Sequence, residues 1–489
     1  MSFKEKVKSA LRGWFLTAAR SLGEKPDAPA IRKSKNIFLT DIKVPVWLSL
    51  LTTFFAVAFM FVMDIGLSWT SVIAMLIFIS VFCVYFAVSF NEYGKNIFAD
   101  KDAVVLLCML LIIGILSLQI SEYYSSVFIF PLAAFAVMAS MLLSARIGIL
   151  YAFVLSVIAG MLFDIRFDIF LFMFAGSVCA LWKADKIRKR SDFIFTGIRI
   201  VVVNALIICM FYLLNVYSVK EFTKNIVDGS LNAVLTVIIL LAFMPLFEKL
   251  FSRTTNIKLI ELADFNNDLL KKLMIEAPGT YHHSLMVAAI AEQAADAIGA
   301  NSILVRVCSY YHDIGKIKNP EYFIENQAPG SKNPHDLLTP QMSALILVSH
   351  VKDGIFMASR ANLDKEIIDN IAQHHGTTMI RSFYLKAVET NDSVDIENFR
   401  YSGPKPQTRE AAIIMIADSC EAACKALEDP TAVRIKETVE KIVNNKFTDG
   451  QFSDCPITLK DLQIISDSAI DTLVSIYHAR IEYKDKDKD

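Results

Sequence analysis

Residues 312–316 read His312-Asp313-Ile314-Gly315-Lys316, an imidazole and a carboxylate side by side, then a glycine and a lysine. Four more short blocks share its chemistry: Tyr281-His282-His283-Ser284, Ser349-His350-Val351, Gln373-His374-His375-Gly376 and Ala417-Asp418-Ser419. All eight histidines of the chain lie between His282 and His478, and six of them fall in these blocks. A single buried histidine is ordinarily a core residue; a set gathered in five helical stretches reads as a ligand set. Adjacent residues on a helix point about 100° apart. His312 and Asp313 can therefore reach one centre from two sides, and so can His374 and His375. Imidazole with carboxylate, and no thiolate, suits Fe, Mn, Zn or Ni. Asp313 has two oxygens and can bridge two ions, and two ions about 3.5–4 Å apart clamp a phosphoryl group. This is chemistry for phosphoester hydrolysis.

Outward from these blocks the chain divides sharply. Residues 281–430 are helical by period, with a loop at 326–336 rich in Pro, Gly and Asn. A second loop spans 447–456, and Thr458 with Asp461 forms the capping-box pattern that opens a last helix through about 482. Residues 251–280 read as a connecting helix ended by Pro278 and Gly279. The tail Lys-Asp-Lys-Asp-Lys-Asp is a solvated charge run.

Upstream the composition changes. The 489 residues are 54% hydrophobic, with 35 Phe and 17 Met, and mean hydropathy is +0.44. Eight runs approach the roughly 20 residues that a bilayer requires: 44–63, 68–90, 103–120, 126–143, 147–163, 167–182, 193–217 and 231–250. Seven or eight spans are expected. Lys and Arg cluster in alternate connections, at 1–43, at Lys95 and Lys101, at Arg146 and at 183–190, which predicts both termini on the cytoplasmic side. Polar residues in the spans are few, namely Arg199, Asn204 and Asn215, so a transporter with a regulatory domain is disfavoured. Residues 1–43 carry a net +6, 44–250 carry +1 and 251–489 carry −8. A basic arm facing the lipid bilayer fits this distribution; a duplex nucleic acid partner does not. The eight cysteines form no CxxC, which indicates neither a zinc ribbon nor a disulfide framework, and Cys420 and Cys424 read as buried small residues.

The wider run around the blocks is more specific. It comprises APGTYHHS, HDIGKIKNPEYFIENQ, NPHD, SHVKDG, QHHGTT followed by FY, and ITLKDLQ followed by IYHARIEY. It resembles the HD-domain phosphohydrolase superfamily and, within it, the bacterial 7TM-HD family, some of whose members are cyclic-di-AMP phosphodiesterases. The resemblance implies an all-α chain: a transmembrane bundle at 44–250 after a 1–43 arm, the 251–280 connector, an HD domain at 281–430 and a helical extension at 431–489. It implies one metal held by His283, His312, Asp313 and Asp418, and a second held by Asp313, His350, His374 and His375. Fe or Mn are the metals implied, with Asp313 and Lys316 as catalytic residues. Lys316 and Lys352 are candidates to meet substrate phosphates, and His335 to shape the substrate loop. The implied reaction takes cyclic-di-AMP to linear pApA at the bacterial inner membrane, with the HD domain in the cytoplasm and a homodimer allowed.

The neighbouring HD-GYP family, which cleaves cyclic-di-GMP, carries a GYP signature after its paired histidines; here the run is HHGTTMIRSFY. Members of the 7TM-HD family also carry a large extracytoplasmic domain after the first span, whereas only residues 64–67 separate the first two runs here. The rival readings are a receptor that binds nucleotide without turnover and an HD hydrolase of another nucleotide. The seven intact ligand positions favour an enzyme acting on a cyclic dinucleotide.

Overall fold

The computed structural model describes residues 101–478, apart from 124–125, 164–165, 252, 329 and 391–393. The basic arm, the runs at 44–63 and 68–90, the link between them and the charged tail lie outside the described residues. Among the described residues the fold is all-α; the one β feature is an isolated bridge, Met379 to Arg400.

The apolar half contributes α1 (Lys101–Tyr123), α2 (Leu132–Leu142), α3 (Ala145–Leu162), α4 (Phe167–Leu181), α5 (Ser191–Leu213) and α6 (Val219–Leu250). Among the described residues three helices are long and apolar enough to cross a membrane, α5, α6 and Pro340–Arg360 of the polar half, and Asp102–Leu118, Val127–Leu142, Ala145–Gly160 and Phe167–Leu181 are shorter apolar stretches. The last span begins earlier than its hydropathy predicts, because Ser218 and Glu221 close a capping box ahead of residue 219.

That extension corrects the expected scarcity of polar groups. Asn225, Asp228, Asn232 and Thr236 recur on one face of α6 and are all buried. Asp228 accepts from the Ser126 hydroxyl, Asn232 donates to the Phe130 carbonyl, and Asn204 of α5 donates to the Gly229 carbonyl at 3.1 Å. The opposite faces are apolar and exposed, with Val202 and Leu206 on α5 and Val234 and Ile238 on α6. Polar groups inside and apolar ones outside is the arrangement that a lipid solvent selects.

The polar half contains α7 (Asn256–Leu262), α8 (Asp268–Glu276), α9 (Pro278–Ala297), α10 (Ser302–Tyr311), α11 (Pro340–Arg360), α12 (Lys365–Gln373), α13 (Arg381–Thr390), α14 (Arg409–Lys425), α15 (Ala432–Thr448) and α16 (Leu459–His478). The single connecting helix is corrected to two. Asp264 accepts from the Asn266 amide and Asn267 caps α8 through the Leu269 amide, so local side chains compete with the backbone and break the run. Pro278 opens α9 instead of ending its predecessor, at the first-turn position where proline has no hydrogen bond to lose.

One hydrophobic core runs from Leu259 of α7 through Tyr311 and Ile413 to Ile435 of α15 and Leu473 of α16. Connector, HD region and C-terminal extension therefore share a single core. Cys420 and Cys424 are buried in it as free thiols. The predicted capping box before the last helix is present, with Thr458 and Asp461 exchanging bonds of 3.0 and 3.1 Å.

Candidate metal centre

Five elements deliver the predicted side chains to one place: α9 brings His283, the end of α10 brings His312 and Asp313, α11 brings His350, the end of α12 brings His374 and His375, and α14 brings Asp418. Gly315 makes the approach possible. A Cβ there would stand 1.8 Å from the His350 carbonyl oxygen, so only glycine lets the 314–318 turn lie against α11. At the other end of the cluster Gly376 turns the chain away at φ +55°.

Three imidazoles are fixed by the same local device. His312 Nδ1 donates to the Ser309 carbonyl at 2.7 Å, His350 Nδ1 to that of Leu347 at 2.5 Å and His374 Nδ1 to that of Ile371 at 2.8 Å. Each bond reaches three residues back and leaves Nε2 facing inward. His283 is held by a carboxylate, its Nδ1 lying 2.5 Å from Glu421 Oε2. A ring nitrogen bonded in this way fixes the tautomer and raises the basicity of the other.

The inward atoms form two donor sets, one of His283, His312 and Asp418 and one of Asp313, His350, His374 and His375. Asp313 faces both. Its Oδ2 is 3.2 Å from His312 Nε2 and 3.6 Å from His283 Nε2; its Oδ1 is 3.3 Å from His350 Nε2 and 3.6 Å from His374 Nε2. Asp418 Oδ1 lies 3.0 Å from His283 Nε2, and its Oδ2 lies 3.5 Å from His375 Nδ1. Donors about 2.0–2.2 Å from one ion stand roughly 3–3.5 Å from each other, so these spacings fit divalent ions. Asp313 Oδ2 meets the Lys316 ammonium at 2.7 Å, whereas Asp313 Oδ1 is buried without a hydrogen bond. An orphaned acceptor of this kind is costly unless a cation meets it.

The charges sort the two sets. Burial alone would lower His283, but Asp418 and Glu421 raise it to about 9. Burial likewise opposes the charge on His312, and Asp313 with Asp418 outweighs it, to about 10. In the other set burial lowers His374, and burial with the neighbouring His374 holds His375 well below its ordinary value. Asp313 and Asp418 are buried, which opposes ionisation. His312 and Lys316 at the first, and His283 and His312 at the second, hold them well below the carboxylate range.

Lys316 Nζ sits 2.7 Å from Asp313 Oδ2 and 2.8 Å from Glu325 Oε1, with the Phe323 ring 5.0 Å away. His335 is buried, and its Nε2 donates to the Tyr322 carbonyl at 2.9 Å, which ties the 334–337 turn to the 320–322 turn. Lys352 does not join the cluster. It lies two residues from His350, about 200° round the helix, and is exposed. His282 is exposed as well, which leaves His283 as the inward member of its pair. Sequence reasoning missed Glu421, Glu325 and Tyr401, whose ring stacks 4.2 Å from that of His375. Glu421 alone carried a signal, since it stands one turn beyond Asp418 on the same helix.

Comparison with known proteins places this geometry. The family described as "7TM receptor with intracellular HD hydrolase" matches residues 69–255, and the HD domain family matches residues 280–423. The chain is 36% identical over 428 residues to the cyclic-di-AMP phosphodiesterase PgpH of Bacillus subtilis (strain 168), an overlap covering 85% of this chain and 60% of that protein. It is 40% identical over 392 residues to the protein of the same name from Listeria monocytogenes serotype 1/2a (strain 10403S), covering 79% and 54%. The chain thus spans between about half and three-fifths of the length of these curated relatives. A crystal structure titled as the L. monocytogenes phosphodiesterase PgpH HD domain in complex with cyclic-di-AMP is 53% identical, with a TM-score of 0.43, covering 44% of this chain and all of that one. The first match covers the apolar half and the second the region that carries the donor sets, in the order that the resemblance predicts.

Proposed function

We propose that this chain is a membrane-embedded, metal-dependent phosphodiesterase whose HD domain opens a cyclic dinucleotide, cyclic-di-AMP in the first place, to the linear pApA. The observation that carries the reading is Asp313, one oxygen turned to each donor set at 3.2–3.6 Å. His283, His312, Asp313 and Asp418 would hold one ion, and Asp313, His350, His374 and His375 the other; the donors suit Fe, Mn, Zn or Ni, and Fe or Mn are the metals that the family resemblance implies. When bound, such ions supply Lewis acidity toward a phosphodiester. The protein's own groups orient and tune. Backbone carbonyls fix three imidazoles, Glu421 fixes His283, and Lys316 places an ammonium beside the shared carboxylate. A substrate phosphate would meet Lys316 in place of Glu325, with Asp313 kept on the ions. The substrate assignment draws support from the two curated relatives, each named a cyclic-di-AMP phosphodiesterase. The HD domain is read as cytoplasmic, where its nucleotide resides, and a homodimer is compatible with the chain.

The test uses the full chain in detergent, with matched Mn²⁺ and either cyclic-di-AMP or cyclic-di-GMP. Turnover of cyclic-di-AMP to pApA, lost in Asp313→Ala, supports the reading. Equal activity in both proteins excludes this site, and a preference for cyclic-di-GMP rejects the substrate.

A further inference from the structure

The helix that ends in His374 and His375 begins without the cap that its sequence offers. Asp364 stands at the N-cap of α12 with extended backbone (φ −66°, ψ 152°). From there a carboxylate ordinarily accepts the amide of the second or third helical residue. Its side chain accepts no bond from α12. Lys258 Nζ takes one oxygen, and the Thr254 hydroxyl donates to the other at 2.9 Å. Thr254 also lies 2.8 Å from Glu366 Oε2, in the first turn of the same helix. Asp364 is only 5% exposed, so this pairing is an interior one.

Thr254 and Lys258 belong to the segment that leaves α6. Phe251 caps α6, and the Thr255 hydroxyl bonds back to Glu248 in its last turn. A continuous run of polar contacts therefore leads from the base of the long apolar helix to the start of α12. Nine residues of helix, about 13 Å at 1.5 Å each, carry it on to His374.

We propose that Asp364 is a positioning residue: held by Lys258 and Thr254 at the foot of α6, it sets where α12 starts and hence where His374 and His375 stand beside Asp313. The proposal rests on the reading of those histidines as metal ligands. The carboxylate has two arrangements open to it, the observed one on Lys258 and Thr254, or a turn onto the first-turn amides of α12 as an ordinary N-cap. Two discrete states of one element are what coupling between distant sites requires. A shift of the 254–258 segment relative to α12 exchanges one for the other and moves His374 and His375, which α12 carries, relative to Asp313 and His350, while His283, His312 and Asp418 stand on other elements.

Cobalt(II) titration of the full chain in detergent tests this, with the visible absorption of the bound ion as readout. The proteins are wild type, Asp364→Asn, Lys258→Gln and the double variant. Each single change should weaken one of two Co²⁺ equivalents by about fivefold or more and alter its bands, leaving the other unchanged. The double variant should be no weaker than the worse single one, since both act through one contact. Wild-type binding in both singles, or additive losses, overturns the proposal. Should Asp364→Asn lose both equivalents and its helical circular dichroism, Lys258→Gln decides, because its partly exposed ammonium can be removed without opening the core. A wild type that binds two Co²⁺ yet leaves cyclic-di-AMP intact refutes the activity alone. A wild type that binds fewer than two refutes the metal reading and this proposal together.

Discussion

Glu421 touches no expected ion, yet it holds His283 by the nitrogen that faces away from the cluster. Outer partners of this kind are worth about 10–100-fold in metal affinity. Glu421→Ala should weaken binding in the His283 set by that amount, as read by competition with a chelator, and leave the His350 set unaltered. The raised histidines give a second prediction. With folded values of about 9 and 10 against an ordinary 6.5, His283 and His312 are protonated at neutral pH in the metal-free protein. Their stabilisation is complete below about pH 6.5 and is lost as pH rises through 9 to 10. Metal-free protein should therefore lose thermal stability across that window, and metal binding at pH 7 should release protons. Calorimetry in two buffers of different ionisation enthalpy counts them; zero release would contradict the assignment. At this scale the sequence was informative because histidine is scarce and confined. Lys352, a candidate phosphate contact by its nearness in sequence to His350, is turned by its helix to the exposed side, away from the donor sets.

A helix start was legible where its capping pair was read from the sequence, as at Thr458, and was missed at Ser218, where hydropathy alone set the start. Helices were misread where leucine spacing ran on through a polar break. Asp264, Asn266 and Asn267 end one helix and start another inside a run whose apolar period alone looks continuous. The turn at 314–318 gives a prediction of its own. Gly315→Ala must drive that turn off α11, since its methyl would overlap the His350 carbonyl. Overpacking of this kind costs about 1–3 kcal/mol. Thermal unfolding should fall accordingly, and the His350 set should lose its ion first. Unchanged unfolding would mean that the turn yields freely.

For the whole molecule, hydropathy foretold a membrane half, while the reach of its last helix needed coordinates. Residue 231 looked like its start, and Asp228 lay in an expected loop; instead Asp228 is buried against Ser126. The Lys and Arg alternation still predicts which side each connection faces. Reporter fusions at 122–125 should report the outer face, and fusions at 186–190 the cytoplasm. The reverse pattern would part the HD domain from a cytoplasmic nucleotide.

The spread of the seven donors over five elements, from His283 to Asp418, also sets an order in time. A ribosome makes the His350 set, with Asp313, before it reaches Asp418. Until α14 emerges, His283 and His312 have two imidazoles and no carboxylate of their own. Stalled chains released before Asp418 should therefore retain at most one tightly held ion, and those released after α16 should retain two. Metal uptake would then report the completion of synthesis, the last donor arriving as the core closes around it.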